Sequence, residues 1–131
     1  MMRFSMKKPT LSKIKKELDK VFSQYIRQKY ADHRGYVECV TCHVKKPLKE
    51  MQCGHYVGRA NMSLRYDERN CHPQCVRCNI MMKGNYPAYT EFLLLKLGQV
   101  GLMNLIKEGR MTRKWTMKEM QELISFYKEK I

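Results

Sequence analysis

Two Cys-x-x-Cys pairs, Cys39/Cys42 and Cys75/Cys78, constrain this chain of 131 residues more than any other feature. Paired thiolates at that spacing supply the tetrahedral four-ligand set of a structural zinc ion, so two distant segments must converge on one point. The spacer between Cys42 and Cys75 is longer than in a compact finger, and a folded element is expected inside it. Within it lies Cys53-Gly54-His55-Tyr56, an imidazole on a segment that the metal would hold rigid. The remaining cysteines, Cys53 and Cys71, read as buried thiols rather than ligands.

Charge narrows the partner. With 26 Lys and Arg against 12 Asp and Glu, the net charge is +14, an excess that points to a polyanion and most simply to nucleic acid. It is uneven: residues 1–34 carry ten basic and three acidic side chains, which marks the N-terminal third as a phosphate-facing element. No stretch reaches the ~18–20 apolar residues of a membrane span. No secretory signal is evident, so the thiols read as metal ligands in a reducing cytoplasm.

The length suits one domain with helical flanks, and the expected segments are 1–34, 35–85 and 86–131. Residues 1–9 read as a mobile basic lead-in. From Thr10 to about Tyr30, Leu11, Ile14, Leu18, Val21, Phe22, Tyr25 and Ile26 recur at helical spacing, with Thr10 or Ser12 as cap and Gly35 beyond the end. Residues 36–57 suggest short strands around the first knuckle, with Lys45, Lys46 and Lys49 on a basic hairpin tip. Residues 58–74 read as loop, and a helix is expected from Cys78-Asn79.

Pro87 suits the first turn of a further helix that buries Tyr89, Phe92, Leu93, Leu95 and Leu97 and ends at Gly98. A short segment from Val100 to Lys107 closes on Gly109. Thr116 and Glu119 form a capping box for a last helix whose apolar face carries Met120, Leu123, Ile124 and Tyr127.

His55, Asn70 and Asn79 stand in the order of a ββα-metal nuclease site. Phosphodiester hydrolysis needs a base active near neutral pH, which an imidazole supplies, and a cation to neutralise charge on the phosphate. The amide oxygen of Asn79 suits a hard ion such as Mg²⁺ or Mn²⁺. Asn70 would hold the loop that orients the imidazole. Each has a plainer reading: His55 as a structural histidine near the zinc, Asn70 and Asn79 as turn caps.

The runs Gly54-His55-Tyr56, Leu64 to Asn70, His72, Gln74-Cys75, Cys78-Asn79 and Lys83-Gly84-Asn85 resemble the NinG (Rap) family of phage recombination proteins. Tyr25-Ile26-Arg27 and Cys39-x-x-Cys42 fit the same pattern, so the likeness covers roughly residues 18–100. The family is associated with HNH-type cleavage of branched DNA such as Holliday junctions and D-loops; the layout is more distantly similar to phage endonuclease VII.

The resemblance implies an α+β fold with a small ββα-metal (HNH, or His-Me finger) core, four-cysteine zinc knuckles and flanking N- and C-terminal helices. It implies His55 as general base, Asn70 as its brace and Asn79 as ligand of a catalytic divalent ion. It also implies branched double-stranded DNA as substrate, a bacterial host cytoplasm and other phage recombination proteins as possible partners.

Many HNH enzymes place a metal ligand directly before the base histidine, where this chain has Gly54. Cys53, His72 and Asp67 are the candidates for that missing ligand. His72 can equally support the Cys75 loop. Arg59, Arg65, Arg77 and Lys83 flank the site and can clamp phosphates, or form a solvated face. A two-fold dimer built by the terminal helices would deliver the paired cuts of junction resolution. The alternative is a zinc-dependent nucleic-acid-binding protein without catalysis, which leaves His55 unassigned.

Overall fold

The computed structural model describes residues 8–131; the basic lead-in expected over residues 1–9 lies for the most part outside them. Helix α1 spans Leu11–Lys29, and the Thr10 side chain caps it by accepting from the Lys13 N–H at 3.2 Å. A hairpin of β1 (Tyr36–Glu38) and β2 (Lys45–Pro47) comes next, with the first knuckle in its turn. Lys45 and Lys46 therefore lie on β2 rather than at the tip, and Lys49 lies in the 3₁₀ turn beyond.

Strand β3 (Met51–His55) pairs antiparallel with β4 (Cys71–Cys75), with His55 opposite Cys71 and Gly54 opposite His72. The strand β4 lies where a loop is expected, because Pro73 and polar neighbours hide a segment whose ladder partner is distant in sequence. A single π-helical turn, Arg77–Met81, carries Cys78 and Asn79. The helix expected there stops after that turn: Lys83, Gly84 and Asn85 all take positive φ and turn the chain away.

Helix α2 runs from Tyr86 to Glu108 and breaks at Gly98, whose φ of 75° and ψ of 168° are non-helical. The segment after Gly98 thus continues as helix. Tyr89 and Leu93 are buried as expected, whereas Leu95 is 90% exposed because it falls on the outer face of α2. Helix α3 (Met117–Lys128) starts at the full Thr116/Glu119 capping box and buries Met120, Ile124 and Tyr127. The fold is a mixed α+β domain with two small antiparallel sheets.

The β3–β4 hairpin lies between two helical layers. On one side α1 and α3 pack together over Leu18, Phe22, Ile26, Cys71, Ile124 and Tyr127, and Lys128 pairs with Glu17 at 2.9 Å across their outer edge. On the other side α2 brings Tyr89 and Phe92 against His72. The buried apolar faces of the terminal helices thus pack against each other within the domain. Leu18 is fully buried between them. Leu18→Ala should lower stability by about 2–5 kcal/mol, read from chemical denaturation.

Candidate functional site

The two knuckles converge. Cys39 comes directly after β1, Cys42 closes the hairpin turn, Cys75 ends β4 and Cys78 sits in the π turn. Their four sulfurs lie within 4.8 Å of one another, and Cys42 Sγ stands 3.6 Å from Cys75 Sγ. That is close to the edge of a thiolate tetrahedron around zinc, roughly 3.8 Å for bonds of about 2.3 Å. The Cys78 N–H and the Asn85 side-chain amide point at the cluster's sulfurs, as donors to thiolates do. Burial raises the Cys39 thiol, but the Thr41 hydroxyl and nearby backbone N–H groups outweigh it and bring the thiol down to about 6. Burial pushes Cys42 up to about 12. The donor set fits zinc, which would hold all four as thiolates.

His55 ends β3, on the face shared with Cys53 and opposite Cys71. Its Nε2–H donates to the Arg65 carbonyl at 2.9 Å, while Nδ1 is buried without a partner. Burial lowers the imidazole pKa, the charges of Arg59 and Arg65 lower it further, and the Arg65 carbonyl opposes them. The ring is therefore neutral at neutral pH, with a lone pair on Nδ1.

Two devices hold the carbonyl that orients it. Asn70, fully buried, donates from Nδ2 to the Val57 and Leu64 carbonyls at 3.0 and 3.2 Å and accepts from the Val57 N–H at 2.8 Å. It pins the chain on either side of the β3–β4 connection, up to the residue before Arg65. The Arg65 guanidinium then bonds Asp19 of α1 at 2.8 and 2.6 Å and the Arg59 carbonyl at 2.7 Å. Arg65 is thus not a phosphate clamp: its side chain is only 11% exposed and committed to Asp19. Asp19, which helical periodicity alone gives no reason to single out, also accepts from Tyr66. Burial raises its pKa, but the Arg65 hydrogen bond and charge prevail and lower it.

Gly54 has a steric explanation. A Cβ there would lie 2.0 Å from Gln74 Oε1, so a side chain at the position where a metal ligand is missing would have to displace Gln74. Gln74 fills that space, held by Thr41 Oγ1 and the Gly84 carbonyl at 3.2 and 2.9 Å. The other candidates for that ligand separate. His72 faces α2, where its Nδ1–H donates to the Tyr89 hydroxyl at 3.0 Å and Tyr89 donates on to the Gly54 carbonyl at 2.8 Å. Burial, with the charges of Lys96 and Lys29, lowers its pKa to about 3, so His72 is a neutral core residue. Asp67 is bound to Arg69 at 2.6–3.0 Å. Only Cys53 of the three lines the cleft at His55.

That cleft has two adjoining lobes of about 510 and 340 Å³, and Cys53, His55, Arg59, Asn79 and Ile80 line both. Asn79 donates from Nδ2 to Gln52 Oε1 at 2.8 Å, which leaves its Oδ1 as an acceptor. Arg59 pairs with Asp19 at 3.1 Å yet keeps a largely exposed side chain. Lys20 of α1 borders one lobe and Lys83 the other. Arg77 is exposed on the π turn and does not line either lobe.

The fold is that of a small mixed α+β protein whose four-cysteine cluster could hold a zinc ion, with a cleft at His55 bordered by cations. The family model described as Bacteriophage Lambda NinG protein matches residues 2–131, and the chain belongs to that family. Protein ninG of Escherichia phage 933W is 29% identical over 117 residues, 88% of this chain and 55% of that protein. Protein ninG of Escherichia phage lambda is 28% identical over the same length, 54% of its own chain. Protein ninG of Enterobacteria phage H19B is 37% identical over 71 residues, 53% of this chain and 35% of that one. The chain spans about half the length of the first two of these relatives. No solved structure matches it. Among the described residues, no helix is long and apolar enough to cross a membrane.

Cys75→Ser should bind about one zinc equivalent fewer than the wild type and be less stable, because the metal's binding free energy is folding free energy here. Its melting temperature should fall by more than about 10 °C, as a loss of several kcal/mol implies for a chain of this size. Metal analysis and a thermal melt on the same sample check both.

Proposed function

We propose that this chain is a divalent-metal-dependent endonuclease that hydrolyses phosphodiester bonds in branched DNA, with zinc in a structural role. The observation that carries the reading is the state of His55: a neutral imidazole at the edge of a cleft bordered by cations, fixed through Nε2–H and with no partner on its buried Nδ1. The run from β3 through β4 to the Arg77–Met81 turn, with His55, Asn70 and Asn79 placed along it, supports an HNH-type core. Membership of the NinG family supports branched DNA as the substrate class.

In this mechanism His55 takes a proton from the attacking water at Nδ1, while the Arg65 carbonyl and Asn70 keep the ring from turning. Asn79 Oδ1 is a hard donor that would help to hold Mg²⁺ or Mn²⁺. Such an ion supplies charge neutralisation at the scissile phosphate. Arg59, Lys20 and Lys83 contact phosphates on either side of the cut, a contribution that grips shape and register rather than sequence.

The test is cleavage of a labelled four-way junction, a D-loop and plain duplex with Mg²⁺ or Mn²⁺. His55→Ala should reduce branch-point cleavage by about 10²–10⁴-fold, the usual contribution of a general base, with zinc content and DNA binding retained. Tight binding without cutting by the wild type would favour a non-catalytic nucleic-acid-binding protein instead.

The pH profile is a second check. Because the folded pKa of His55 is depressed, the base stays unprotonated below 6.5, and the rate should fall only as pH drops through the lowered value. Arg59→Ala removes a positive charge beside the ring, so its acid limb should move up toward 6.5.

A further inference from the structure

Cys53, His55 and Cys71 are not used together by any role described so far, yet the β3–β4 register gathers them on one face. Cys53 and His55 are two apart on β3, and Cys71 stands opposite His55 on β4. One donor atom from each lies within 4.8 Å of the other two. We propose that these three residues form a second metal site, separate from the four-cysteine cluster and suited to a thiophilic cation such as Zn²⁺, whose occupation removes the His55 base. The regulatory half of this proposal rests on the nuclease reading; the site itself does not.

Three observations carry it. Donors of a tetrahedral site with two thiolates and one imidazole stand roughly 3.5–3.8 Å apart, so side-chain adjustments on the order of 1 Å would close this set on an ion. His55 already has the arrangement of a ligating histidine: one ring nitrogen donates to a backbone carbonyl, and the other is buried with no partner. Cys53 and His55 line the cleft, which gives an ion a route to the three donors.

The donor set also selects the ion. Two thiols and an imidazole favour zinc over the hard Mg²⁺ or Mn²⁺ that Asn79 suits. Binding would release the two thiol protons to solvent. Nδ1 has one lone pair, which cannot hold a cation and accept a proton from water at the same time. Zinc beyond the first equivalent should therefore act as an inhibitor at the base, not as the catalytic ion.

The experiment counts zinc on the full chain by native mass spectrometry during a zinc titration, for wild type, Cys53→Ser and Cys53→Ser/Cys71→Ser. Cys53 is half-buried, so the single variant tests the site without emptying the core. The expected result is two ions on the wild type and one on each variant. The second affinity should fall by more than about 100-fold, beyond the loss of a supporting hydrogen bond. Retention of the first ion reports that the variant is folded. One ion on all three proteins, or two on all three, would overturn the proposal.

A parallel arm measures Mg²⁺-dependent cleavage of a four-way junction: excess zinc should inhibit the wild type and spare Cys53→Ser. Equal inhibition of both would overturn the regulatory role. Absence of cleavage at every zinc level would count against the nuclease reading, while the ion count would still decide the site.

Discussion

The antiparallel pairing of Met51–His55 with Cys71–Cys75 fixes both centres of this protein at once, because a period-two ladder assigns each side chain to a face. One register puts His55 against Cys71 beneath α1 and α3. The same register puts His72 against Tyr89 and Phe92 of α2 and Gln74 beside Gly54, and carries Cys75 to Cys42 at the far end of the hairpin. A slip of one residue would bring His72 to the cleft face and take Cys75 off the metal position. The four thiols, when they hold zinc, lock that register from the end at which β4 leaves the sheet.

Polar groups are buried around this hairpin to an unusual degree for so small a domain: Asn70, His72 and Gln74 are fully buried, and Arg65 nearly so. Such groups add little to net stability when satisfied and cost much when not, so they specify one arrangement rather than strengthen it. Asn70 is satisfied on both amide atoms, and Arg65 on three nitrogens. The exceptions are His55 Nδ1, His72 Nε2 and Gln74 Oε1. His72 Nε2 lies among aromatic edges, where a neutral ring is the stable form. His55 differs in that it lines a cleft, so its unpartnered Nδ1 lone pair lies close to where chemistry would occur.

Much of the local structure is legible from residue spacing. The stripe from Ile14 to Ile26 forms the buried face of α1, and Thr116 with Glu119 forms a capping box, because both are decided within a few residues. Gly98 is legible as a break but not as a kink in a continuing helix, since the path of the chain beyond it depends on what Leu102 and Leu105 find to pack against. Leu95 sits in a leucine-rich run that reads as buried, but among the described residues nothing covers its face of α2. Strand β4 is invisible in the sequence because its partner lies on the far side of a long connection. Arg65 reads as a surface cation because its anchor, Asp19, is 46 residues away.

By itself the sequence determined the metal cluster, the terminal helices, the basic character and the candidacy of His55, Asn70 and Asn79. These come from residue type and short-range spacing, which the chain carries in any conformation. The tertiary structure alone decided which cations face the cleft and that a side chain at Gly54 would have to displace Gln74. It also decided that His72 belongs to the core and that Cys53 and Cys71 meet at His55. Each of those outcomes is a distance between residues remote in the chain, and strand register and helix packing set such distances where local propensity cannot.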